Sequence, residues 1–426
     1  MDRRRARHIG RTIRRGPTEA LYAALRARRR RRNLADDEPE LGEGDRLALS
    51  PLFDLEPAHL EANRRTLEAY AALEALEIRS VQWFLPWFHL THGGGIHTVL
   101  RFADRFARAH GIENRFSVYD RDDPAAARDV AAKIAGAFPA LRGAPVSACA
   151  GGLPECDAAI ATAWPGAYPL VRLDGARAKF FLVQDWEPDF HPAGSASALL
   201  EQAARFGIPG LVNTPGLADS YRACGNPAIA FTPAPDPRYA PPPLPRPEAP
   251  VRLFFYGRPS VARNAFGLGL ATLRRVKARL GDGVEILCAG EDWSPGQYGV
   301  ADVLDNLGML EDPGAVAELY RSCHAGLVFM LTRHPSYQPL EWMASGMVTV
   351  TNESEHTTWL LRHEENALVA PPLPAAMAAQ AIRALTDAPL RDRIAATGLE
   401  IVAPLDWDTE IDRVHAAMTK RGEPFA

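Results

Sequence analysis

Hydrophobic residues recur along the chain in two alternating patterns, short apolar runs and longer segments with a period near 3.6 residues. In the first half, the apolar runs predict buried strands at 78–86, 115–119, 158–161, 180–184, 210–213 and 228–232. The periodic segments predict helices at 57–77, 96–110, 124–137, 195–206 and 215–224. Strands that alternate with helices indicate a parallel α/β domain.

The same alternation returns in the second half of the chain. Apolar runs predict strands at 251–256, 284–289, 325–331 and 347–351. Helices are predicted at 264–280, 312–323, 339–345, 374–387, 389–402 and 409–419. The predicted fold class is therefore α/β, with two similar domains and a ligand cleft between them, outside the carboxyl ends of the strands.

A proline-rich segment separates the two halves. Residues 235–250 hold eight prolines in sixteen positions, a density that the interior of a helix or strand does not tolerate. We predict a stiff, extended interdomain linker there. The remaining boundaries follow from the pattern: a basic arm and linker at 1–50, a first domain at 51–234, a second at 251–405, and a C-terminal helix at 406–426 that packs back on the first domain.

Charge is distributed unevenly along the chain. The whole chain has a net charge of −4, but residues 1–32 hold thirteen arginines and two acidic residues. Apolar residues at i, i+4 spacing within this arm fit a helix that docks on an anionic membrane surface. A disordered, solvated tail fits equally well. The acidic body argues against nucleic-acid binding.

Composition narrows the class of protein and its location. A chain of 426 residues with 47% hydrophobic and 23% charged residues is a globular protein of two or three domains. Its five cysteines (149, 156, 224, 288 and 323) have no C-x-x-C spacing, which favours a reduced, cytoplasmic setting without a cysteine metal site. The uncharged stretch 80–100 contains three histidines, a proline and three consecutive glycines, so it predicts a strand and loop rather than a membrane span. We expect a cytoplasmic protein, peripheral on the inner face of the cell membrane.

Two motifs lie at predicted strand-to-helix turns. The glycines of 92–96 (HGGGI) let the backbone approach a ligand at a helix N-terminus, although a tight structural turn explains them as well. This segment is not the dinucleotide fingerprint, so NAD is disfavoured. Arg258 and Arg263 flank the turn after strand 251–256, and two guanidinium groups suit a diphosphate. Two solvated loop arginines are the alternative.

A third motif, at 333–346, runs from a strand end into a short helix. The backbone N–H groups near 338–340 offer an anion site, and Glu341 could accept hydrogen bonds from a ribose diol. A surface carboxylate is the alternative for Glu341.

These residues carry a family resemblance. The segment 251–352 resembles the donor-binding half of GT-B glycosyltransferases of family 4, which have two Rossmann-like domains facing across a cleft. The matching features are Gly257, Arg258 and Arg263, the glycine loop 306–310, and the helix that begins near Glu341. The resemblance covers about 80–420 and implies donor binding by Gly94, Gly95, Gly257, Gly308, Met309, Ser336, Tyr337, Gln338, Leu340 and Glu341.

One position departs from the family pattern. The family has two glutamates eight positions apart, and the first, which usually contacts donor-sugar hydroxyls, is Arg333 here. The variant around 334–341 (HPSYQPLE) resembles bacterial rhamnosyltransferases of cell-surface glycan synthesis. The resemblance implies retaining transfer of L-rhamnose from dTDP-β-L-rhamnose to a glycan or lipid-linked glycan, with no metal cofactor. The catalytic candidates are Asp185, Arg258 and Arg263, with His97 and His191 as weaker ones.

Other functions share the predicted fold. The loss of the first glutamate allows a non-catalytic subunit that binds a nucleotide or glycan, or a transferase that uses another nucleoside diphosphate sugar. A sugar phosphorylase or an epimerase is a third class. A phosphorylase would need a lysine for pyridoxal phosphate, and the only lysines of the second half, Lys277 and Lys420, are not in such a context.

Overall fold

The computed structural model describes residues 42–92, 94–148, 153–422 and 424–425. The chain divides into two compact units, residues 1–47 and 48–426. In the first unit, the described residues form most of the short helix Glu43–Ala48 (α1). The predicted basic arm 1–32, the first glycine of the HGGGI motif (Gly93) and the first cysteine (Cys149) lie outside the described residues. The fold below is that of the second unit.

The first domain is a parallel sheet flanked by helices. Its strands are Ser80–Leu85 (β1), Glu113–Val118 (β2), Val146–Ala148 (β3), Cys156–Ala161 (β4), Ala176–Val183 (β5), Gly210–Asn213 (β6) and Ala228–Phe231 (β7). Its helices are Pro57–Ala72 (α2), Gly94–His110 (α3), Pro124–Ala137 (α4), Ala167–Arg172 (α5), Ser195–Ala203 (α6) and Pro215–Arg222 (α7). The strand order is β3-β2-β1-β4-β5-β6-β7.

The second domain repeats this plan. Its strands are Val251–Tyr256 (β8), Val284–Ala289 (β9), Asp305–Asn306 (β10), Ala325–Val328 (β11), Val348–Asn352 (β12) and Ala367–Ala370 (β13), in the order β10-β9-β8-β11-β12-β13. Its helices are Phe266–Leu280 (α8), Pro313–Ser322 (α9), Gln338–Ala344 (α10), Pro374–Thr386 (α11) and Ala388–Val402 (α12). All paired strands in this sheet are parallel.

Burial on both faces of the second sheet explains its continuous apolar runs. In β8, Leu253 and Phe255 belong to a core formed with α8 and α11. Phe254, between them, points to the opposite face and packs with Tyr320 and Trp342. Because side chains alternate along a strand, a strand covered on both faces is apolar at most of its positions, as at 253–255 of β8.

In each sheet there is a point at which the order of the strands reverses. In the first sheet β1 lies between β2 and β4, and in the second β8 lies between β9 and β11. Successive connections leave opposite sides of the sheet at such a point, which opens a crevice at the carboxyl ends of the strands. The loops that follow β1, β4, β8 and β11 therefore border the expected ligand sites.

The last helix, Trp407–Met418 (α13), packs against the first domain rather than the second. Trp407, Ile411 and Val414 join the core beneath the first sheet. Arg105 of α3 pairs with Asp408 of α13 at 2.8 Å. The chain thus crosses between the two domains twice, once through 235–250 and once through the turn before α13. Within the described segment 235–250, no helix or strand forms.

Candidate functional site

A cavity of about 690 Å³ lies where the carboxyl ends of the two sheets face each other. Loops after β1, β4, β5 and β7, with the end of β6, line one side, and loops after β8, β9, β10 and β11 line the other. Parallel strands place their carboxyl ends at one edge, so residues distant in sequence meet there. The predicted residues that line it are Gly94, Gly95, His97, Asp185, Arg258, Arg263, Met309, Ser336, Tyr337, Gln338 and Glu341.

Of the predicted residues within the described ranges, four do not line the cavity. Gly257 has no room for a side chain, because a Cβ would collide with Cys288 Sγ. Gly308 has φ +73° and lies against Asp292, so a turn requires it. Leu340 is fully buried in the second domain's core. His191 follows the 3₁₀ helix Glu187–Phe190. The three donor-site candidates support the loops around the cavity instead.

The two predicted arginines stand on the second-domain side. Arg258 Nη1 lies 3.4 Å from the Tyr256 hydroxyl, and Arg258 Nε is buried without a hydrogen-bond partner in the described chain. Arg263 lies in the 3₁₀ turn Ala262–Asn264, with its Cζ 4.0 Å from the Phe190 ring. Burial lowers the pKa of Arg263, because a low-dielectric site disfavours the charged form. Both guanidinium groups are therefore poised for an anion.

Asp185 faces these arginines from the loop after β5. Its Oδ2 accepts a hydrogen bond from the Thr332 hydroxyl at 3.2 Å and lies 4.0 Å from Arg263 Nε. Its Oδ1 accepts from the Trp186 backbone N–H at 2.8 Å. Burial raises the pKa of Asp185 to about 6, and the hydrogen bond from Trp186 and the charge of Arg263 oppose that rise. The carboxylate is thus ionised at neutral pH, yet its pKa is near enough to neutrality for proton exchange.

A second carboxyl group, Glu187, lines the same side of the cavity. Its Oε2 accepts a hydrogen bond from the Trp164 backbone N–H at 3.1 Å. Burial raises the pKa of Glu187 to about 8, with a further contribution from the charge of Asp185. Glu187 is therefore protonated at neutral pH while Asp185 is ionised.

Glu341 lies at the other end of the cavity, in the first turn of α10. Burial raises its pKa to about 7, and a hydrogen bond with Tyr320 together with the charges of Arg101 and Arg238 partly offsets this. Asp236 of the linker lies 2.7 Å from Arg101 Nη2 and 2.8 Å from Arg238 Nε. A buried carboxylate with aromatic and cationic neighbours can accept hydrogen bonds from a ligand's hydroxyl groups.

The loop that precedes α10 links the two domains through Tyr337. The Tyr337 hydroxyl lies 2.6 Å from Thr98 Oγ1 and accepts a hydrogen bond from Asn213 Nδ2 at 2.8 Å. Its ring lies against Gly94, where a Cβ would be 3.4 Å from two ring carbons. The start of α3 and the Tyr337 ring are thus in close contact across the two domains.

Arg333, at the position of the missing glutamate, is not among the residues that line the cavity. Its Cζ lies 4.1 Å from the Trp186 ring, and its Nε lies 3.6 Å from Asp189 Oδ2. Arg333 therefore contacts the first domain and does not replace the missing carboxylate as a cavity residue. The neighbouring His334 lines the cavity instead.

Comparisons with known sequences and solved structures identify the fold of the chain. Residues 251–383 match the family model "WsaF, C-terminal domain". The sucrose-phosphate synthase of Thermosynechococcus elongatus superposes with a TM-score of 0.61 at 14% identity, over 79% of this chain and 97% of that one. HepE of Anabaena, solved with UDP and glucose, superposes with a TM-score of 0.58 at 13% identity, over 80% and 98% of the two chains. The chain has the GT-B fold.

One curated relative is similar across most of the chain. The O-antigen biosynthesis protein RfbC of Myxococcus xanthus is 41% identical over 383 residues. The match covers 87% of this chain and 29% of that protein, so the chain spans less than a third of the relative's length. The predicted fold class, two Rossmann-like α/β domains in a GT-B arrangement, is confirmed. The donor sugar stays a prediction.

Several residues that line this GT-B cavity were not predicted from the sequence. The linker supplies Asp236, Arg238 and Tyr239, and α13 supplies Trp407. A charged and aromatic cluster within a proline-rich linker was the available signal for the first three. For Trp407 no local signal existed, because the return of α13 to the first domain brings it there.

His97 is the remaining predicted candidate in the GT-B cavity. Its Nδ1 lies 3.1 Å from the Thr91 carbonyl oxygen, to which it donates, and burial lowers its pKa to about 4. The described residues contain no group of three His, Cys, Asp or Glu side chains placed to share a metal ion. Among the helices in the described ranges, none has the length and apolar composition of a membrane span.

Proposed function

We propose that this chain is a retaining glycosyltransferase that transfers L-rhamnose from dTDP-β-L-rhamnose to a cell-surface glycan or lipid-linked glycan. The observation that carries the proposal is the placement of Arg258 and Arg263 opposite Asp185 in a cavity between two GT-B domains. The similarity to an O-antigen biosynthesis protein supports a glycan acceptor. The complex of HepE with UDP and glucose supports a nucleotide-sugar donor. The choice of rhamnose rests on the motif at 334–341.

The two ends of the cavity suit the two ends of such a donor. Met309, Leu310 and Val316 line the cavity, as Glu341 does; apolar side chains suit a base and the carboxylate suits a ribose diol. Arg258 and Arg263 suit the diphosphate, because guanidinium groups form charge-assisted hydrogen bonds with phosphate oxygens. The sugar would then lie between the diphosphate and Asp185.

The proposed reaction breaks the bond between the anomeric carbon and the distal phosphate oxygen. The bonding electrons leave with the diphosphate, where Arg258 and Arg263 stabilise the growing negative charge. The acceptor hydroxyl oxygen forms the new bond to the anomeric carbon on the same face. Its proton passes to the departing phosphate oxygen or to Asp185, whose carboxylate also opposes the positive charge on the sugar. Since the arginines supply the positive charge, we propose no metal cofactor.

A thermal-shift panel tests donor binding. The intact protein and its Arg258→Ala variant are each mixed with dTDP, UDP, GDP or ADP. At one hundred times its dissociation constant a ligand stabilises the native state by about 2.7 kcal/mol, which raises the Tm measurably. We expect dTDP to give the largest rise and Arg258→Ala to abolish it. Arg275→Ala, which removes an exposed arginine of α8 outside the cavity, is the matched control and should keep the full rise.

Each outcome decides between functions. A larger rise with another nucleotide would keep the transferase class and remove the rhamnose assignment. Binding of dTDP without release of dTDP from dTDP-rhamnose in the presence of glycan acceptors would favour a non-catalytic, nucleotide-binding subunit. If no nucleotide changes the Tm, the proposal that this cavity binds a nucleotide-sugar donor is wrong.

A further inference from the structure

His334 is a buried side chain on the cavity wall, and one of its two ring nitrogens lacks a hydrogen-bond partner among the described residues. It is 6% exposed, and its Nε2 has no hydrogen-bond partner within the described chain. Its ring lies 5.7 Å from the Tyr337 ring, centroid to centroid. A buried polar atom left without a partner is costly, and a ligand in the cavity can supply that partner.

The local backbone fixes which nitrogen of His334 carries the proton. The Ser336 backbone N–H donates a hydrogen bond to His334 Nδ1 at 2.9 Å. Nδ1 is therefore the acceptor, so the neutral ring has its hydrogen on Nε2. Ser336 has φ +64°, a conformation that its hydrogen bond to His334 helps to hold. His334 thus has two separable tasks: Nδ1 orders the loop, and Nε2–H remains an unpaired donor on a residue of the cavity wall.

The charge environment keeps this donor neutral. Burial, with the nearby charge of Arg263, lowers the pKa of His334 to about 3. Arg258 Nε is a second buried donor without a partner in the described residues. Arg258, Arg263 and His334 line the same cavity, so three groups that carry N–H donors converge on it. Convergent N–H donors, two of which have unpaired nitrogens in Arg258 Nε and His334 Nε2, are suited to an anionic oxygen.

The position of His334 within the cavity favours contact with one of the two phosphates of a nucleoside diphosphate. Arg263, whose charge acts on His334, lies 4.0 Å from Asp185 at the end where the sugar would react. Glu341, the ribose candidate, lies among the charges of Asp236, Arg101 and Arg238 at the other end. A nucleoside diphosphate that reaches from Glu341 towards Asp185 presents its distal phosphate to His334.

We infer that His334 Nε2 donates a hydrogen bond to an oxygen of the donor's distal phosphate, an inference that rests on the proposed function. That phosphate gains negative charge as the bond to the sugar breaks. The hydrogen bond therefore strengthens in the transition state, and it does so without placing a third full positive charge beside Arg258 and Arg263.

Two substitutions separate the two tasks of His334. In His334→Asn, the amide oxygen replaces Nδ1 and still accepts from the Ser336 N–H, but nothing reaches the Nε2 position. In His334→Gln, the amide nitrogen reaches the Nε2 position and can donate, while the Nδ1 acceptor is lost. Affinities for dTDP and dTMP, and for UDP and UMP, are measured by calorimetry together with kcat, KM and the Tm.

His324 provides a matched control in the same domain. It is 4% exposed, its Nδ1 accepts from the Arg252 backbone N–H at 3.0 Å, and its Nε2 lies 3.1 Å from the Pro247 carbonyl oxygen. It does not line the cavity. His324→Asn therefore removes a buried Nε2 donor of the same kind. It should lower the Tm while leaving nucleotide affinities unchanged.

We expect His334→Asn to weaken diphosphate binding about tenfold, because a hydrogen bond to a charged group is lost. Monophosphate binding should stay unchanged, and kcat should fall more than KM rises. His334→Gln should recover most of the diphosphate affinity even if its Tm is lower. Equal losses for monophosphate and diphosphate, or no loss for either, would overturn the inference and leave the proposed function standing. If the unaltered protein binds no nucleoside diphosphate, both fail together.

Discussion

Asp185 and Glu187 are two residues apart, yet the cavity holds them in different protonation states at neutral pH. The pKa of Asp185 is about 6, because Arg263 and hydrogen bonds stabilise its charge against burial. The pKa of Glu187 is about 8, because burial dominates and the charge of Asp185 adds to it. Environments that separate the pKa values of two neighbouring carboxyl groups give them different chemical tasks.

Activity should depend on the ionised form of Asp185. As the pH falls through about 6, Asp185 gains a proton, so kcat should fall on the acid side. Asp185→Asn should lower kcat on the order of 10²–10⁴-fold and remove this acid limb. A pH profile of dTDP release measures both. Asp189→Asn, four residues along and paired with Arg333, is the control and should keep the limb. An unchanged profile in Asp185→Asn would rule out the proposed role.

Glu187 should make stability fall as the pH rises. Its folded-state pKa of about 8 is above the ordinary value of 4.5, so folding favours the protonated form. Stability from this group is complete below about pH 4.5 and is lost as the pH rises through 8. Glu187→Gln should therefore have a higher Tm than the unaltered protein at pH 9 and a similar Tm at pH 5. Scanning calorimetry at both values tests this, with exposed Glu201→Gln as the control.

At the residue scale, the sequence predicts the groups that act through a local motif. Arg258, Arg263, Asp185 and Glu341 follow strand ends and were all predicted near a ligand. The donor role proposed for His334 could not be predicted, because only the structure shows that its Nδ1 is used by the Ser336 N–H and that its Nε2 has no partner in the described chain.

At the scale of elements, strong local signals fixed boundaries well. The helix Pro124–Ala137 and the strand Gly210–Asn213 have the predicted bounds, because proline and glycine mark their ends. The helix predicted over 57–77 ends at Ala72 instead. Lys420 Nζ donates hydrogen bonds to the carbonyl oxygens of Ala71 and Leu73, each at 2.9 Å. A residue about 350 positions away thus satisfies the helix end, and no local pattern encodes that.

Three short strands were absent from the prediction. Asp305–Asn306 has two residues, Val146–Ala148 has three, and Ala367–Ala370 has four. Runs of two or three residues carry too little periodicity to stand out, and the neighbouring strands of the sheet define them. Ala367–Ala370 is as long as the predicted strand Gly210–Asn213, but no glycine or proline marks its start.

The link from α3 to the loop before α10 should contribute measurably to stability. Thr98 Oγ1 and the Tyr337 hydroxyl are 2.6 Å apart, so Thr98→Ala and Tyr337→Phe remove the same contact. In a double-mutant cycle by urea unfolding, we expect a coupling free energy of about 0.5–1.5 kcal/mol.

Thr66→Ala is the control for this cycle. Thr66 Oγ1 donates to the Ala62 carbonyl at 3.1 Å, as Thr98 does to that of Gly94 at 3.0 Å, but it lies in α2. Thr66→Ala and Tyr337→Phe should be additive. Additivity of Thr98→Ala with Tyr337→Phe as well would contradict a link between the domains.

At the scale of the whole molecule, the arginines of residues 1–32 contrast with an acidic remainder. We propose that this arm binds anionic membrane surfaces, each basic residue near the surface contributing about 1 kcal/mol. The full chain should sediment with phosphatidylserine-containing vesicles and not with neutral ones. A variant in which all five arginines of residues 28–32 are replaced by glutamine should bind these vesicles much more weakly. Equal binding by the substituted and unaltered chains would contradict the proposal.

The return of α13 to the first domain has a consequence for biosynthesis. The ribosome makes the first domain before the second, but Trp407, Ile411 and Val414 of its core follow the second domain in the chain. The domain that is synthesised first therefore completes its core only after the second domain and α13 have been made. Because Trp407 also lines the cavity, a nascent chain that has not yet reached α13 lacks a finished site. Synthesis of α13 thus becomes a checkpoint for activity.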